Sequence, residues 1–229
     1  IEMGANVNQA RNDGITPLYI ASTHNKLNIV KELIDADGID VNAQTDAGGT
    51  ALMAASQVGD EDIVEALLDA GANVDHTTKD GATSLYLASA DGDYDIVKLL
   101  IKGGADVNFD VNSTNLDRAK TPLIVASENG HLDIVQRLIK SHANITSDGS
   151  ESLYFASENG HLQIVKLLIG LNDLNDLVDV NFEMTEQKYT PFIVASIGGY
   201  LDVMKCLFEN SLNIYVDKTT KDGATSLYL

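Results

Sequence analysis

Tryptophan is absent from this 229-residue chain, cysteine occurs once and proline three times. The single thiol, Cys206, has no partner for an internal disulfide and sits in an apolar helical pattern, as free thiols of reducing compartments do. That favours the cytosol, with the nucleus as second choice. Cations are scarce: 15 Lys and Arg stand against 34 Asp and Glu, a formal charge of -19. Phosphate-backbone binding needs clustered cations, so nucleic acid is not the expected partner. No run approaches the ~18 apolar residues of a membrane span, and the opening Ile1-Glu2-Met3-Gly4 lacks the basic and apolar regions of a signal peptide, so no membrane insertion is expected. Asn112 and Asn144 open Asn-x-Thr sequons, triplets that arise often by chance.

What the chain does have is a core-forming composition, 44% hydrophobic, and a phrase written twice: TTKDGATSLYL fills 77–87 and again 219–229. Weaker copies of the phrase lie between. Helix-opening triplets stand at Thr16-Pro17-Leu18, Thr50-Ala51-Leu52, Thr83-Ser84-Leu85, Thr121-Pro122-Leu123, Glu151-Ser152-Leu153, Thr190-Pro191-Phe192 and Thr225-Ser226-Leu227, in steps of 34, 33, 38, 30, 39 and 35 residues. A period near 33 with length changes confined to connections is the mark of a stacked helical array.

Each unit reads physically. Thr caps a helix by accepting a bond from an unpaired backbone N–H, and all three prolines, Pro17, Pro122 and Pro191, fall at the next position, where a missing N–H costs nothing. Alanines at 21, 55, 88, 126, 156 and 195 allow close helix approach. Gly59, Gly92, Gly130, Gly160 and Gly199, with Asn25 in the first unit, suit a left-handed helix end. A second helix then carries an apolar stripe, as in Ile63, Val64, Leu67 and Leu68, or Ile134, Val135, Leu138 and Ile139. Gly71 and Gly104 end such helices and lead into short extended tips with Asp-Gly turns.

Asp13-Gly14-Ile15-Thr16-Pro17-Leu18 and Gly130-His131-Leu132-Asp133-Ile134-Val135, recurring in register, closely resemble the ankyrin repeat. The resemblance covers essentially the whole chain and implies an all-α solenoid of stacked helix-turn-helix units with projecting β-hairpin or loop tips. Approximate units are 11–44, 45–77, 78–115, 116–146, 147–184 and 185–218, with partial units at 1–10 and 219–229, read as one array. One departure is consistent: the family's usual His after the Leu is Tyr19, Met53, Tyr86, Ile124, Tyr154, Ile193 and Tyr228 here, so apolar or tyrosine packing is expected to replace its polar bond. The resemblance further implies a concave binding surface lined by tips and first-helix ends. The tip positions are Asn12, Asp13 and Ile15; Asp46, Ala47 and Gly49; Lys79, Asp80 and Ala82; Lys120; and Tyr189. The helix-end positions are Thr23, His24, Gln57, Val58, Ala90, Asp91, Glu128, Asn129, Glu158, Asn159, Ile197 and Gly198.

Catalytic signatures fail one by one. Asp91-Gly92-Asp93-Tyr94-Asp95 opens like a calcium loop, but Ile96 and Lys102 stand where glycine and glutamate are required. The five histidines form no zinc spacing, and His131 and His161 fall on equivalent positions, as turn residues do. Serines 22, 56, 89, 127, 157 and 196 recur in every unit without a nucleophile elbow, which argues for packing. Gly48-Gly49-Thr50 lacks the lysine of a phosphate loop. No enzyme, cofactor or metal is expected, since a catalytic site needs unique converging groups.

The expected function is a protein-interaction scaffold that docks a protein or extended peptide, basic segments being favoured by charge. A spacer, spring or targeting arm within a larger protein is the alternative. The tip 110–120 is lengthened and Leu171–Leu177 forms a long loop. The connection before Leu153 is shortened and Glu151 replaces its capping Thr, so a notch is expected there, flanked by Glu128, Glu158 and the long tip. Neither terminus has the polar face of a cap, and self-association through the ends is a further expectation.

Overall fold

The computed structural model describes residues 6–111, 120–171, 177–184, 187–210, 214–223 and 225. Among them run twelve α-helices: α1 Pro17–Thr23, α2 Leu27–Ile34, α3 Ala51–Val58, α4 Glu61–Asp69, α5 Ser84–Asp91, α6 Tyr94–Lys102, α7 Pro122–Asn129, α8 Leu132–Lys140, α9 Ile145–Glu158, α10 Leu162–Gly170, α11 Pro191–Ile197 and α12 Leu201–Asn210. They form two compact units, Ile1–Pro122 and Leu123–Leu229.

In the first unit α1, α3 and α5 are the first helices of successive pairs. Each packs on its own second helix, α3 lies between α1 and α5, and α4 lies between α2 and α6. The reason is local chemistry repeated in register. Thr16, Thr50 and Thr83 hold extended backbone, and each Oγ1 accepts the N–H three residues on, at 3.2, 3.3 and 3.2 Å. Asp60 and Asp93 cap the second helices in the same way, accepting from Ile63 and Ile96 at 2.9 and 3.1 Å. Such caps contribute about 1 kcal/mol each. The Asp93 carboxylate, third residue of the apparent calcium loop, is thus spent on α6. Between helices the backbone turns left-handed at Gly59 and Gly92, with φ of 75° and 85°, and at Asn25 with 54°.

The core is the seam between stacked pairs. Ile63, Val64 and Leu67 of α4 and Ile96, Val97 and Leu100 of α6 are fully buried. Each such side chain contributes about 1.5–3 kcal/mol on burial. The fourth position of the expected stripe, Leu68, is only half-buried. α3 is buried along Ala51–Ser56, so the first helices are the inner layer.

In the second unit α9 packs on α10 and α11, α10 on α12, and α11 on α12. Thr190 caps α11, accepting from Ile193 at 3.3 Å. The shortened connection differs from the sequence reading. No hairpin precedes Glu151: α9 starts at Ile145, with Asn144 as its cap residue, and runs 14 residues. The missing length is taken up as helix rather than as a shortened hairpin. Asp148 and Gly149 are buried within this added segment, where a Cβ on Gly149 would come 3.0 Å from Val178 Cγ2. Asp179 N donates to Ser150 Oγ at 2.8 Å, tying the following loop down.

The tips are turns more than ribbons. Among the described residues the only strand pairings are the isolated antiparallel bridges Val111–Lys120 and Met184–Tyr189. Residues 112–119 of the lengthened tip, 172–176 of the long loop, and 1–5 and 226–229 at the ends lie outside the described residues.

Candidate functional site

Tips can present side chains only if something holds them, and two hydrogen-bond ladders do. The first joins tip to tip through backbone: Asp46 N donates to Asp13 O and Lys79 N to Ala47 O, both at 2.9 Å, and in the second unit Lys221 N donates to Gln187 O at 3.1 Å. The approach is close enough to demand glycine. A Cβ on Gly14 would lie 2.9 Å from Asp46 N, and one on Gly48 2.9 Å from Lys79 N. Both glycines also hold φ near +80°, which side chains disfavour.

The second ladder uses side chains that the sequence reading did not single out. In Asn6-Val7-Asn8, Asp40-Val41-Asn42, Asn73-Val74-Asp75, Asp106-Val107-Asn108 and Asp179-Val180-Asn181 the first side chain accepts the N–H of the third residue. The third side chain then accepts an N–H from the next unit. Asp40 N donates to Asn8, Asn73 N to Asn42, Asp106 N to Asp75 and Tyr215 N to Asn181, at 2.7 to 2.9 Å. The recurring Asx-Val-Asx was the legible signal.

Between helices the neighbouring repeat of the same unit presses on the left-handed glycines. A Cβ on Gly59 would meet Asp93 Oδ2 at 2.8 Å, one on Gly130 the His161 ring at 2.5 Å, and one on Gly160 the Tyr200 ring at 2.5 Å. His161 Nε2 donates to the Glu128 carbonyl at 2.9 Å, which fixes the end of α7. His131 and His161 are the cap residues of α8 and α10, with no side-chain capping bond.

The residues proposed from sequence divide by environment. Asn12, Asp46, Lys79 and Asp80 are exposed on tips, and Thr23, His24, Gln57, Val58, Asp91, Asn129, Glu158 and Asn159 are exposed at first-helix ends. Asp13, Ile15, Ala90, Lys120 and Glu128 are half-exposed. Several are already engaged. Arg11 pairs with Asp13 at 3.0 Å, Thr23 Oγ1 donates to Tyr19 O at 2.9 Å, His24 Nδ1 lies 2.9 Å from Ile20 O, and Asn159 Nδ2 donates to Phe155 O at 3.0 Å. Tyr189 is not a free tip side chain: with Phe182 it packs on a buried cluster of Ile124, Tyr154, Phe155, Met184 and Val194. Tyr154 and Phe155 meet edge to face, ring centres 5.5 Å apart. Met53, Ile124, Tyr154 and Ile193 are each buried where the family's His would stand, and Tyr19 and Tyr86 are half-buried at the same position.

Repeats of this geometry are found elsewhere. A profile of ankyrin repeats in three copies matches residues 37–110 and 85–181, and a single ankyrin repeat matches 13–46. The chain belongs to the ankyrin-repeat family. The crystal structure of the human ASB11 ankyrin repeat domain is similar over 93% of this chain and 91% of that one, with a TM-score of 0.78 and 26% identity. Ankyrin repeats generally serve as protein–protein interaction modules and are typically non-catalytic. Among the described residues no helix is long and apolar enough to cross a membrane.

Electrostatics sort the layers. None of the described Lys and Arg lies on a first helix: α1, α3, α5, α7, α9 and α11 carry Asp91, Glu128, Asp148, Glu151 and Glu158 and no cation. Two groups are shifted for structural reasons. Glu183 accepts from Lys218 Nζ at 2.6 Å, which holds its carboxyl below the ordinary value. Burial pushes the Cys206 thiol up, the opposite of what a reactive cysteine needs.

Proposed function

We propose that the chain is a non-catalytic docking scaffold whose first-helix ends and tips take a protein or extended peptide bearing basic residues. The observation that carries the reading is that the first helices of each unit are free of described cations, with Asp91 at an end in the first unit and Glu128 and Glu158 at ends in the second, while every described lysine and arginine stands on second helices, tips or links. Complementary charge steers encounter and register, and repels acidic competitors. The hydrogen-bonded tips add rigidity, which lowers the ordering cost of binding. The cytosol, suggested by the lone reduced thiol, is the compartment in which we place it.

Affinity capture with the chain and with a Glu128→Lys, Glu158→Lys variant, at low and physiological salt, tests this. A partner retained by the parent, weakened by salt and lost by the variant is the expected result. The same sparse background on both proteins would favour the spacer reading, in which the array binds nothing specifically.

A further inference from the structure

The exposed large apolar side chains of the first unit fall on both layers: Ile29 and Tyr94 on the second helices α2 and α6, and a pair, Ile20 and Val58, on adjacent first helices. Ile20 and Val58 are 39% and 44% exposed, and both stand on first helices. Ile20, Ala54 and Leu87 occupy the fourth position of α1, α3 and α5, helices stacked in that order. Val58 follows Ala54 by four residues and therefore lies on the same helix face one turn along. Ala54 is the smallest of the three fourth-position side chains and is 4% exposed, whereas Leu87 is half-buried. A small residue between two larger ones, with Val58 at one end, outlines a seat for one aliphatic side chain.

The polar surroundings give that seat a direction. At the eighth position His24, Val58 and Asp91 run across the three helix ends. His24 is committed to the Ile20 carbonyl at 2.9 Å. Asp91 is exposed and makes no ion pair among the described residues. A cation is therefore favoured on the α5 side of the seat. We propose that the first unit binds an extended peptide in which an aliphatic residue seats over Ala54, between Ile20 and Leu87 and against Val58, and a neighbouring Lys or Arg reaches Asp91. The inference rests on the docking reading above and names the partner's chemistry within one unit.

A displayed library of random peptides selected on the whole chain at physiological salt provides the probe, and selected peptides are then titrated against variants. The expected sequences carry an aliphatic residue beside Lys or Arg. They lose about tenfold in affinity on Ile20→Glu and on Val58→Glu. Asp91→Lys should weaken them by several-fold, while Asp69→Lys, the same charge change on the exposed face of α4, should not. Circular dichroism melts establish that each variant is folded before its affinity is compared. Peptides that bind Ile20→Glu and Val58→Glu as tightly as the parent would overturn the seat and leave a docking scaffold with its site elsewhere. Equal loss on Asp69→Lys and Asp91→Lys would reduce the charge preference to net attraction and overturn the role of Asp91. Failure to enrich any sequence would count against the seat and the docking reading together.

Discussion

The first unit settles most of its turns and caps with the same residues, and the second more often uses substitutes. Where the first places Gly71 and Gly104 after its second helices, at φ of 83° and 92°, the second places His142 at 68°. Where Gly14, Gly48 and Gly81 turn the tips, Lys188 does so at φ 61°. Where Thr50 and Thr83 cap first helices after a tip, α9 simply begins two turns earlier. The difference follows from what holds each tip. In the first unit neighbouring tips meet backbone to backbone, and a Cβ at Gly14 or Gly48 would strike the next chain segment. In the second, the tip at Met184–Tyr189 rests on an aromatic and aliphatic cluster, so side-chain burial adds to the backbone bond from Lys221 N to Gln187 O in securing it. Strict glycine requirements thus belong to close backbone approach, and packing relaxes them.

The largest effects should come from the shared core and should be similar in the two units. Leu100→Ala and Leu168→Ala each delete a fully buried side chain, and each should cost about 2–5 kcal/mol in denaturant unfolding. A much smaller loss for one of them would mean that its unit is less tightly packed. The sharper contrast lies in the tips. Gly48→Ala forces a Cβ to 2.9 Å from Lys79 N at a positive φ, and should destabilise by about 1–3 kcal/mol in the same assay. Lys188→Gly should do the reverse, stabilising by about 0.5–1 kcal/mol through relief of left-handed strain.

Buried hydroxyls offer a further test. Among the described residues Ser22, Ser56, Ser89 and Ser157 bury Oγ without a hydrogen-bond partner, whereas Ser127 donates to Leu123 O at 2.8 Å. Ser56→Ala should therefore raise stability by about 1 kcal/mol, and Ser127→Ala should not, because it loses a satisfied bond. The smallest effect concerns Glu183. Its carboxyl is held down by Lys218, so whatever the pair contributes is present above the ordinary carboxylate range and fades as pH falls through the Glu183 folded value. Lys218→Met should move the Glu183 titration upward when followed by NMR.

How much of this was legible depended on range. Thr16, Thr50, Thr83 and Thr190 cap through bonds spanning three residues, so sequence spacing alone locates them. Gly59, Gly92, Gly130, Gly160 and Gly199 carry their left-handed conformation in their identity. α9 escaped because the repeat period placed the helix start at Ser152, although Asn144 is by type the better cap, and the helix is extended by burial of Asp148 and of Gly149, the latter against a loop some thirty residues on. The side-chain ladder escaped for the same reason, since Asn42 and Asp75 find their donors one repeat away. Among the candidate site residues, the register of Val58, Asp91, Glu128 and Glu158 followed from the period. Tyr189 looked like a tip residue until its ring was seen packed on the neighbouring cluster.

The account stands or falls on which layer meets a partner. Hydrogen exchange of the chain with and without a selected basic peptide reads this directly. Protection confined to the tips and to the ends of first helices, at Val58 and Asp91 or at Glu128 and Glu158, is the predicted footprint. Protection confined to the second helices α2, α4, α6, α8, α10 and α12 would contradict it.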